Sequence, residues 1–329
     1  MNSTPFIDPE TGAALRLESL ADCAALVTPT GKRYSVIDGV ADLVFPVRLP
    51  ESDEAARRFY DGRADQYEDT LHLTFLTHGL DEAATRQSFI DRLDIEAGSR
   101  VLEIACGTGR DSVLIADRVG EDGELHLQDL SADMMRVCRK KLGGHPAVAS
   151  FALANALHLP YSDGYFDAVY SFGALGEFSD QPRALKEMVR VTKLGGKVVV
   201  GDESVPVWLR ETDYYRILKE TNPMFEAPLP LAAIPVEARD TSIHFVIGQA
   251  FYLIEFTVGQ GEPSANFDFP IPGKRGGTYR TRSDGKLEGV SAETKELAWQ
   301  AVGKRGTDMH SWLDALVREA AEGELGSTV

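Results

Sequence analysis

Cysteine is scarce in this chain of 329 residues. The three cysteines, Cys23, Cys106 and Cys138, are odd in number, widely separated and without a CxxC pair. A disulfide framework normally needs an even set, and a cysteine zinc site needs closely spaced pairs, so the sequence supports neither. This use of cysteine predicts a reducing compartment.

Long apolar runs and an excess of basic residues are also missing. No segment reaches about 18 consecutive apolar residues, and the first ten residues carry Asp8 and Glu10 but no basic residue, so we predict neither a membrane span nor a signal peptide. Lys and Arg number 34 and Asp and Glu 51, which gives a net charge of −17. Because such a surface repels phosphate, we expect no nucleic-acid partner. Since neither a span nor a signal peptide is predicted, we expect a cytoplasmic protein with no membrane insertion.

The composition is otherwise that of a globular protein, with 43% hydrophobic and 26% charged residues. The first fifty residues are β-prone fragments broken by Pro, Gly and Asp, which predicts a small antiparallel module. From Arg100 onward, short β-prone runs alternate with amphipathic helices, which predicts βαβ units and a parallel sheet. The predicted strands of this part are 100–105, 124–128, 149–153, 166–171 and 197–201.

The last third of the chain departs from this alternation. A proline-punctuated loop, 221–235, precedes two apolar segments that turn near Gly248 and predict a terminal antiparallel hairpin. Residues 259–329 add a Gly- and Pro-rich loop and two helices, at about 292–302 and 308–320.

A pair of glycines marks the turn between the first predicted strand of the alternating part and the next helix. Gly107 and Gly109 have no Cβ, so a ligand can approach the backbone there and be met by N–H groups at the start of the helix. The dinucleotide fingerprint GxGxxG would need a third glycine where this chain has Ser112, which disfavours NAD and FAD. A nucleotide-dependent oxidoreductase is therefore the less favoured alternative.

An acid inside the same strand adds to the pattern. Glu103 lies four residues before Gly107, and the segment resembles motif I of the class I S-adenosylmethionine-dependent methyltransferases, with Ala105 at the first glycine position. The resemblance implies a Rossmann-like α/β fold, a mostly parallel seven-stranded sheet ending in an antiparallel hairpin. It also implies S-adenosyl-L-methionine as cofactor, with Glu103 accepting a hydrogen bond from its amino group and the Ala105–Gly109 turn against its methionine part.

Further segments resemble the same family, over roughly residues 55–258. Asp129, next to Leu130, follows the second strand and stands where a carboxylate can take both ribose hydroxyls. Residues 152–171 resemble the run in which the family places an adenine-contacting Asp, here Asn155. The remaining cofactor-binding candidates that the resemblance implies are Ala156, Ser171, Tyr60 and Tyr67.

The acceptor side is less well defined. In the ubiquinone and menaquinone C-methyltransferases, which this chain resembles, a His-His pair follows the fourth strand, whereas this chain has Gly176 and Glu177. No histidine base can be carried over. The candidate catalytic residues are Glu177, Asp202, Glu203 and His244, and for Glu177 and His244 a solvated loop carboxylate and a structural histidine are the competing interpretations.

The N-terminal fifty residues resemble a zinc-ribbon module that precedes some methyltransferase domains. The two metal-binding knuckles correspond to residues 8–11 and 28–31, which contain no cysteine. Since the thiolates are missing, we predict no metal. The predicted organisation is a degenerate ribbon-like module at 1–50, a methyltransferase domain at 55–258 and an extension at 259–329, with possible homo-oligomer contacts through the two ends.

These patterns predict transfer of a methyl group from S-adenosyl-L-methionine to a small, partly apolar organic acceptor, on C, N, O or S. The absence of a nucleophile triad fits, because such a reaction needs mainly in-line positioning and exclusion of water. The second alternative is a non-catalytic, methyltransferase-like protein that binds the cofactor as a regulatory or structural subunit.

Overall fold

The computed structural model describes residues 3–20, 23–272, 278–283 and 290–326. The chain forms two compact units, Met1–Pro263 and Ser264–Val329. Among the described residues, no helix is long and apolar enough to cross a membrane.

One sheet of twelve strands runs through the first unit, in the order β1-β2-β3-β4-β5-β8-β7-β6-β9-β10-β12-β11. The strands are β1 Ser3–Ile7, β2 Ala14–Leu20, β3 Cys23–Val27, β4 Arg33–Ile37, β5 Val40–Asp42, β6 Arg100–Ile104, β7 Glu124–Asp129, β8 Val148–Leu153, β9 Phe166–Phe172, β10 Thr192–Glu203, β11 Ala238–Val246 and β12 Phe251–Val258.

The middle of the sheet is parallel and its two ends are antiparallel. Strands β5, β8, β7, β6, β9 and β10 pair in parallel, and β12 pairs antiparallel with both β10 and β11. The predicted α/β fold is confirmed, with a mixed sheet. The sheet differs from the predicted seven-stranded, mostly parallel one because β5 pairs with β8, which joins the five N-terminal strands to it.

Eight α-helices of eight or more residues accompany the sheet or form the second unit, together with three shorter ones in the described part. The helices are α1 Glu51–Tyr60, α2 Ala64–Thr70, α3 His72–Thr77, α4 Glu82–Ile90, α5 Arg110–Val119, α6 Ala132–Leu142, α7 Gln181–Val191, α8 Asp213–Thr221, α9 Tyr279–Ser283, α10 Ala292–Arg305 and α11 Met309–Gly326. Ser131 caps α6 by accepting from Met134 N, and Asp180 caps α7 by accepting from Arg183 N.

Apolar side chains cover both faces of the parallel strands. In β6, Val101 belongs to one buried cluster, whereas Leu102 and Ile104 belong to the other. Successive residues of a strand point to opposite faces, so a sheet with helices on both sides needs apolar residues at consecutive positions. Polar side chains are consequently concentrated at the strand ends, where the candidate site lies.

The N-terminal strands are attached to the sheet at two places. The Leu43 N–H donates to the Leu153 carbonyl (2.9 Å) and the Ile7 N–H donates to the Pro160 carbonyl (3.0 Å). The rings of Phe6 and Tyr161 also pack, with centroids 5.3 Å apart. Both ends of segment 153–161 are therefore held by the N-terminal strands.

The two turns at residues 8–11 and 28–31 converge on a polar cluster. Asp8, 1% exposed, accepts from the Tyr34 hydroxyl at 2.6 Å, and Lys32 Nζ lies 3.5 Å from Asp8 and 2.7 Å from Glu10. In the part of the chain that the structure describes, no cluster of His, Cys, Asp or Glu could hold a metal ion. Hydrogen bonds and ion pairs thus connect the two turns.

The second unit contains α9, α10 and α11, which include the two helices that the sequence predicts. Ala298, Val302 and Met309 form its small buried cluster, with Trp312 and Leu313 packed against them. Gly306 ends α10 in the left-handed conformation, with φ 63°, which a residue without Cβ adopts without strain.

Candidate active site

The glycine turn connects β6 to α5 at the carboxyl edge of the sheet. Ala105, Gly107 and Gly109 have φ of 54°, 53° and 80°. A Cβ on Gly109 would lie 2.8 Å from Cys138 Sγ, whereas a Cβ on Gly107 would meet nothing within 4 Å. Gly109 is therefore required for packing against α6, and Gly107 borders open space.

That open space is a cavity of about 620 Å³. It lies over the ends of β6, β7 and β9 and under the segments that contain α1, α2 and α3. The predicted site residues that line it are Tyr60, Tyr67, Glu103, Ala105, Gly107, Asp129, Leu130, Asn155, Ala156, Glu177 and Glu203. Most of the predicted site is therefore brought together in one place.

Glu103 is buried beneath the glycine turn, with 4% of its surface exposed. Its Oε2 accepts a 2.5 Å hydrogen bond from the Ser112 hydroxyl. Burial, and next the neighbouring Asp111 carboxylate, raise the pKa of Glu103 well above its usual value. A cationic or hydrogen-bond-donating ligand group beside Glu103 would relieve this cost.

Asp129 ends β7, next to the glycine turn. One carboxylate oxygen accepts from the Gly107 N–H and the other from the Ser131 N–H, both at 2.8 Å. Burial raises the pKa of Asp129 to about 6, and these backbone hydrogen bonds oppose the shift. The carboxylate thereby connects the turn after β6 to the start of α6 and faces the cavity between them.

Asn155 lies beyond the end of β8 and contacts α1. Its Nδ2 donates to Asp53 Oδ2 (3.3 Å) and its Oδ1 accepts from the Leu157 N–H (3.0 Å). Asp53 also accepts from the Ser179 N–H and hydroxyl, each at 2.9 Å. The Asn155 amide is thus oriented by α1 and by the loop after β9.

Tyr60 and Tyr67 come from α1 and α2 and pack edge to face, with ring centroids 5.9 Å apart. The Tyr60 hydroxyl donates to Glu177 Oε1 at 2.9 Å. Burial raises the pKa of Glu177, while the Tyr60 hydrogen bond lowers it. Glu177 is therefore a partly buried carboxylate at the cavity wall and not a freely solvated loop residue.

A second carboxylate, Glu203, lies at the end of β10. Its Oε1 accepts from Asn222 Nδ2 at 3.3 Å. Burial, and then the adjacent Asp202, raise the pKa of Glu203 well above its usual value. Asp202 is 2% exposed and accepts from the N–H groups of Gly176 and Glu203, so it supports the loop behind the cavity wall.

The loop after β10 leaves no room for a side chain at Gly176. A Cβ there would lie 2.4 Å from Met224 Cε and 3.1 Å from Asp202 Oδ2. Met224 and Pro223 line the cavity, whereas Phe225 is buried in the core. The space beside Gly176 is filled by Met224 in this chain.

Four predicted site residues, Gly109, Ser171, Asp202 and His244, are not in the cavity lining. Ser171 is buried in β9, its hydroxyl has no hydrogen-bond partner among the described residues, and the neighbouring Phe172 lines the cavity instead. His244 lies on the edge strand β11, 3.4 Å from Glu255 Oε1 and outside the lining. The structure therefore favours the structural interpretation of His244.

The sequence does not predict Arg86, which lines the cavity, or Glu68, which lies outside the lining but contacts lining residues. On α4, Arg86 forms a buried ion pair with Asp111 (2.8 Å). On α2, Glu68 accepts from the Thr108 hydroxyl and pairs with Arg110 (3.4 Å) and Lys141 (3.0 Å). Their spacing forms no local motif, because the interacting residues lie on helices far apart in the sequence.

The parallel strands, the glycine turn and the acids at adjacent strand ends together define a Rossmann-like protein of the class I methyltransferase type. Comparison with known proteins agrees with this class. The model of the ubiE/COQ5 methyltransferase family matches residues 64–225.

Individual relatives give the same result. A ubiquinone/menaquinone biosynthesis C-methyltransferase of Chromobacterium violaceum is 41% identical over 121 residues, 37% of this chain and 49% of the relative. A demethylmenaquinone methyltransferase of Anoxybacillus flavithermus is 31% identical over 179 residues, 53% of this chain and 73% of the relative. The chain belongs to the ubiE/COQ5 methyltransferase family. It spans about half the length of the first curated relatives that it matches.

Solved structures were also compared. The phosphoethanolamine N-methyltransferase 2 of Haemonchus contortus aligns with a TM-score of 0.48 at 14% identity, covering 66% of this chain and 62% of that one. A SAM-dependent methyltransferase of Aquifex aeolicus aligns with a TM-score of 0.42 at 15% identity, covering 64% and 100%.

Proposed function

We propose that this protein transfers a methyl group from S-adenosyl-L-methionine to a small, partly apolar organic acceptor. The observation that carries the proposal is the convergence of Glu103, the Gly107 turn and Asp129 on one cavity of about 620 Å³ at the ends of adjacent strands. Membership of the ubiE/COQ5 family supports it.

The residues present fit this cofactor. Asp129 offers a carboxylate for the ribose hydroxyls, and Glu103 offers one for the amino group of the methionine part. The backbone at Gly107 leaves space for the chain between them. Asn155, Ala156 and Leu130 would surround the adenine. When bound, the cofactor supplies a methyl group that its sulfonium already activates.

The other end of the cavity fits an acceptor with an apolar body and a hydrogen-bond donor. Phe172, Ile247 and Phe251 supply apolar surface, while Glu177 and Glu203 supply carboxylates. The curated relatives carry names of quinone-biosynthesis C-methyltransferases, so a reduced quinone is the first acceptor class to test. Its hydroxyl would donate to a carboxylate and its ring would lie against the aromatic wall.

We infer a proton-accepting role for Glu177. Since burial raises its pKa above the usual value, the carboxylate is suited to take a proton from an acceptor hydroxyl as the nucleophile forms. The Tyr60 hydroxyl holds Glu177 in position, and the apolar wall excludes water from the reacting atoms. Glu203 is the second candidate for contact with the acceptor.

We also propose a division of the chain, a substrate class and a location. We propose that the catalytic part is 55–258, with 1–50 and 259–329 as additions that could contribute homo-oligomer contacts. Nucleic acid is not expected as a substrate at a net charge of −17. The unbridged thiols of Cys106 and Cys138, whose sulfurs are 3.9 Å apart, favour a reducing cytoplasmic location.

A labelled-methyl assay tests the proposal. The full chain, labelled S-adenosyl-L-methionine and a panel of reduced quinones and phenols should give labelled product. Glu177→Gln should lower kcat about 100-fold with the cofactor Kd unchanged, and Asp129→Ala should lose cofactor binding. Cofactor binding without any labelled product from the panel or a metabolite extract would instead favour the non-catalytic alternative, and no cofactor binding would refute both.

A further inference from the structure

Arg86 is a buried cation at the wall of the cavity. It lies on α4, is 7% exposed and stands over the Phe75 ring, with Cζ 5.0 Å from the ring centroid. Its Nε donates to Glu82 Oε1 and its Nη1 donates to Asp111 Oδ1, both at 2.8 Å. The plane of the guanidinium group is thus fixed by two carboxylates.

The third nitrogen of Arg86 is different. Within the described ranges, Arg86 donates to protein acceptors only through Nε and Nη1, so Nη2 retains its N–H groups on a side chain that lines the cavity. Tyr67 lines the same cavity, and its hydroxyl likewise has no acceptor among these residues. Burial raises the pKa of Tyr67, and the charge of Arg86 is close enough to oppose that shift.

The second cation near the turn is already occupied. Arg110 pairs with Glu82 through Nη1 (2.8 Å) and with Glu68 through Nε (3.4 Å). Asp111, the main partner of Arg86, also accepts from the Tyr170 hydroxyl at 3.1 Å, so its position does not depend on Arg86 alone. Arg86 is therefore a cation of the cavity lining whose Nη2 donors have no acceptor among the described residues.

Glu103 and Arg86 both line the cavity beside the glycine turn and have opposite charges. The methionine part of the proposed cofactor carries an ammonium and a carboxylate on the same carbon. A carboxylate facing the ammonium and a guanidinium facing the carboxylate would satisfy both groups, and arginine bonds carboxylates more strongly than a neutral donor does.

We propose that Arg86, with the Tyr67 hydroxyl beside it, binds the carboxylate of the cofactor's methionine part. This assignment rests on the proposed function. It makes Arg86 a binding residue and gives α4, which lies outside the sequence motifs, a direct part in cofactor recognition.

Two ligands, one with the amino-acid part that contains this carboxylate and one without it, test the assignment. S-Adenosylhomocysteine contains the amino-acid carboxylate, whereas 5′-methylthioadenosine lacks the amino-acid part. Calorimetric titration of Arg86→Gln should show S-adenosylhomocysteine affinity lowered about 10- to 100-fold, as expected for a hydrogen bond to a charged group. The affinity for 5′-methylthioadenosine should change less than about 3-fold, since no contact is lost.

Controls separate binding from folding. Arg118→Gln, an exposed arginine that pairs with Asp91, should leave both affinities unchanged. Arg86→Lys keeps the charge and should lower the affinity for S-adenosylhomocysteine less than Arg86→Gln does. If the two Arg86 variants lose affinity equally for both ligands, or if their affinity for S-adenosylhomocysteine is unchanged, the assignment is overturned. If the wild-type protein binds 5′-methylthioadenosine but not S-adenosylhomocysteine, the assignment of Arg86 is likewise refuted. If the protein binds neither ligand, the proposed function is refuted together with the assignment.

Discussion

The hydroxyl of Ser112 donates a 2.5 Å hydrogen bond to the buried carboxylate of Glu103. This bond links the first turn of α5 to β6 across the glycine turn. Ser112 occupies the position where a dinucleotide fingerprint requires glycine. The residue that departs from that fingerprint, Ser112, is therefore the one that holds the Glu103 carboxylate in this site.

Ser112→Ala should destabilise the protein by about 1–3 kcal/mol, because the buried Glu103 loses a hydrogen-bond donor. Urea denaturation measures the change in the free energy of unfolding. Ser88→Ala, on an exposed hydroxyl that donates to the Thr85 carbonyl, is the matched control and should change it by less than about 0.5 kcal/mol. Equal effects of the two variants would contradict the role given to Ser112.

The two glycines of the turn should respond differently to alanine. Gly109→Ala places a Cβ 2.8 Å from Cys138 Sγ at φ 80°, so we expect a loss of more than about 2 kcal/mol of stability. Gly107→Ala has open space but φ 53°, and should cost only about 1 kcal/mol.

Gly107→Ala and Gly109→Ala should also differ in cofactor binding. The added Cβ of Gly107→Ala would project into the cavity region. The variant should therefore bind S-adenosylhomocysteine more weakly than its small loss of stability suggests. Thermal denaturation and titration of both variants provide the comparison. A Gly107→Ala variant that is less stable than Gly109→Ala would show that the packing described for Gly109 is not decisive.

Asp129 should make stability depend on pH in a particular direction. Its pKa is raised to about 6 in the folded protein, from 3.8 in the unfolded chain. The folded protein therefore binds more protons between these values, and the contribution of Asp129, full below about pH 4, is lost as the pH rises through 6. The shift corresponds to about 3 kcal/mol at most.

Asp129→Asn isolates this effect from the other buried acids. The stability of the wild-type protein minus that of the variant should fall between pH 4 and pH 7, as measured by urea unfolding in a series of buffers. Glu103 and Glu203 titrate in both proteins and cancel in the difference, whereas the pKa of Glu177 also depends on the Asp129 charge. A difference that stays constant over this range would argue against the raised pKa.

The N-terminal module should be stable without metal. Asp8, Lys32 and Tyr34 connect the two turns, so a chelator such as EDTA should leave the Tm unchanged. Tyr34→Phe removes the 2.6 Å hydrogen bond to Asp8 and should cost about 1–3 kcal/mol, because Asp8 is buried. A Tm that falls with chelator would show that a metal, and not the polar cluster, supports the module.

The sequence predicted those parts of the site that depend on neighbouring residues in the chain. Glu103, Gly107 and Gly109 lie in one strand and turn, and Asp129 ends the next strand, so parallel pairing brings them together. Arg86 and Glu68 were not predicted, because their partners Asp111 and Thr108 lie 25 and 40 residues further along the chain. Such contacts depend on how helices pack, which no local pattern encodes.

Other differences between expectation and structure also have physical causes. The resemblance implies Ser171 as a cofactor-binding residue because the family run extends to it, but it lies outside the cavity lining, to which the alternation of the strand brings Phe172. The N-terminal fragments were correctly predicted as an antiparallel module. Their junction with β8 was missed, because β5 has only three residues and pairing between distant strands has no sequence signature.

That junction has a consequence for how the chain can be divided. Without residues 1–50, β8 would be an outer strand whose free N–H and C=O groups are a template for association with other chains. A fragment beginning at residue 55 would also lose the bonds that hold both ends of segment 153–161, which contains Asn155. The cut that sequence motifs suggest would therefore yield a fragment prone to aggregation, whereas the five short strands act in the whole chain as a cover for that edge.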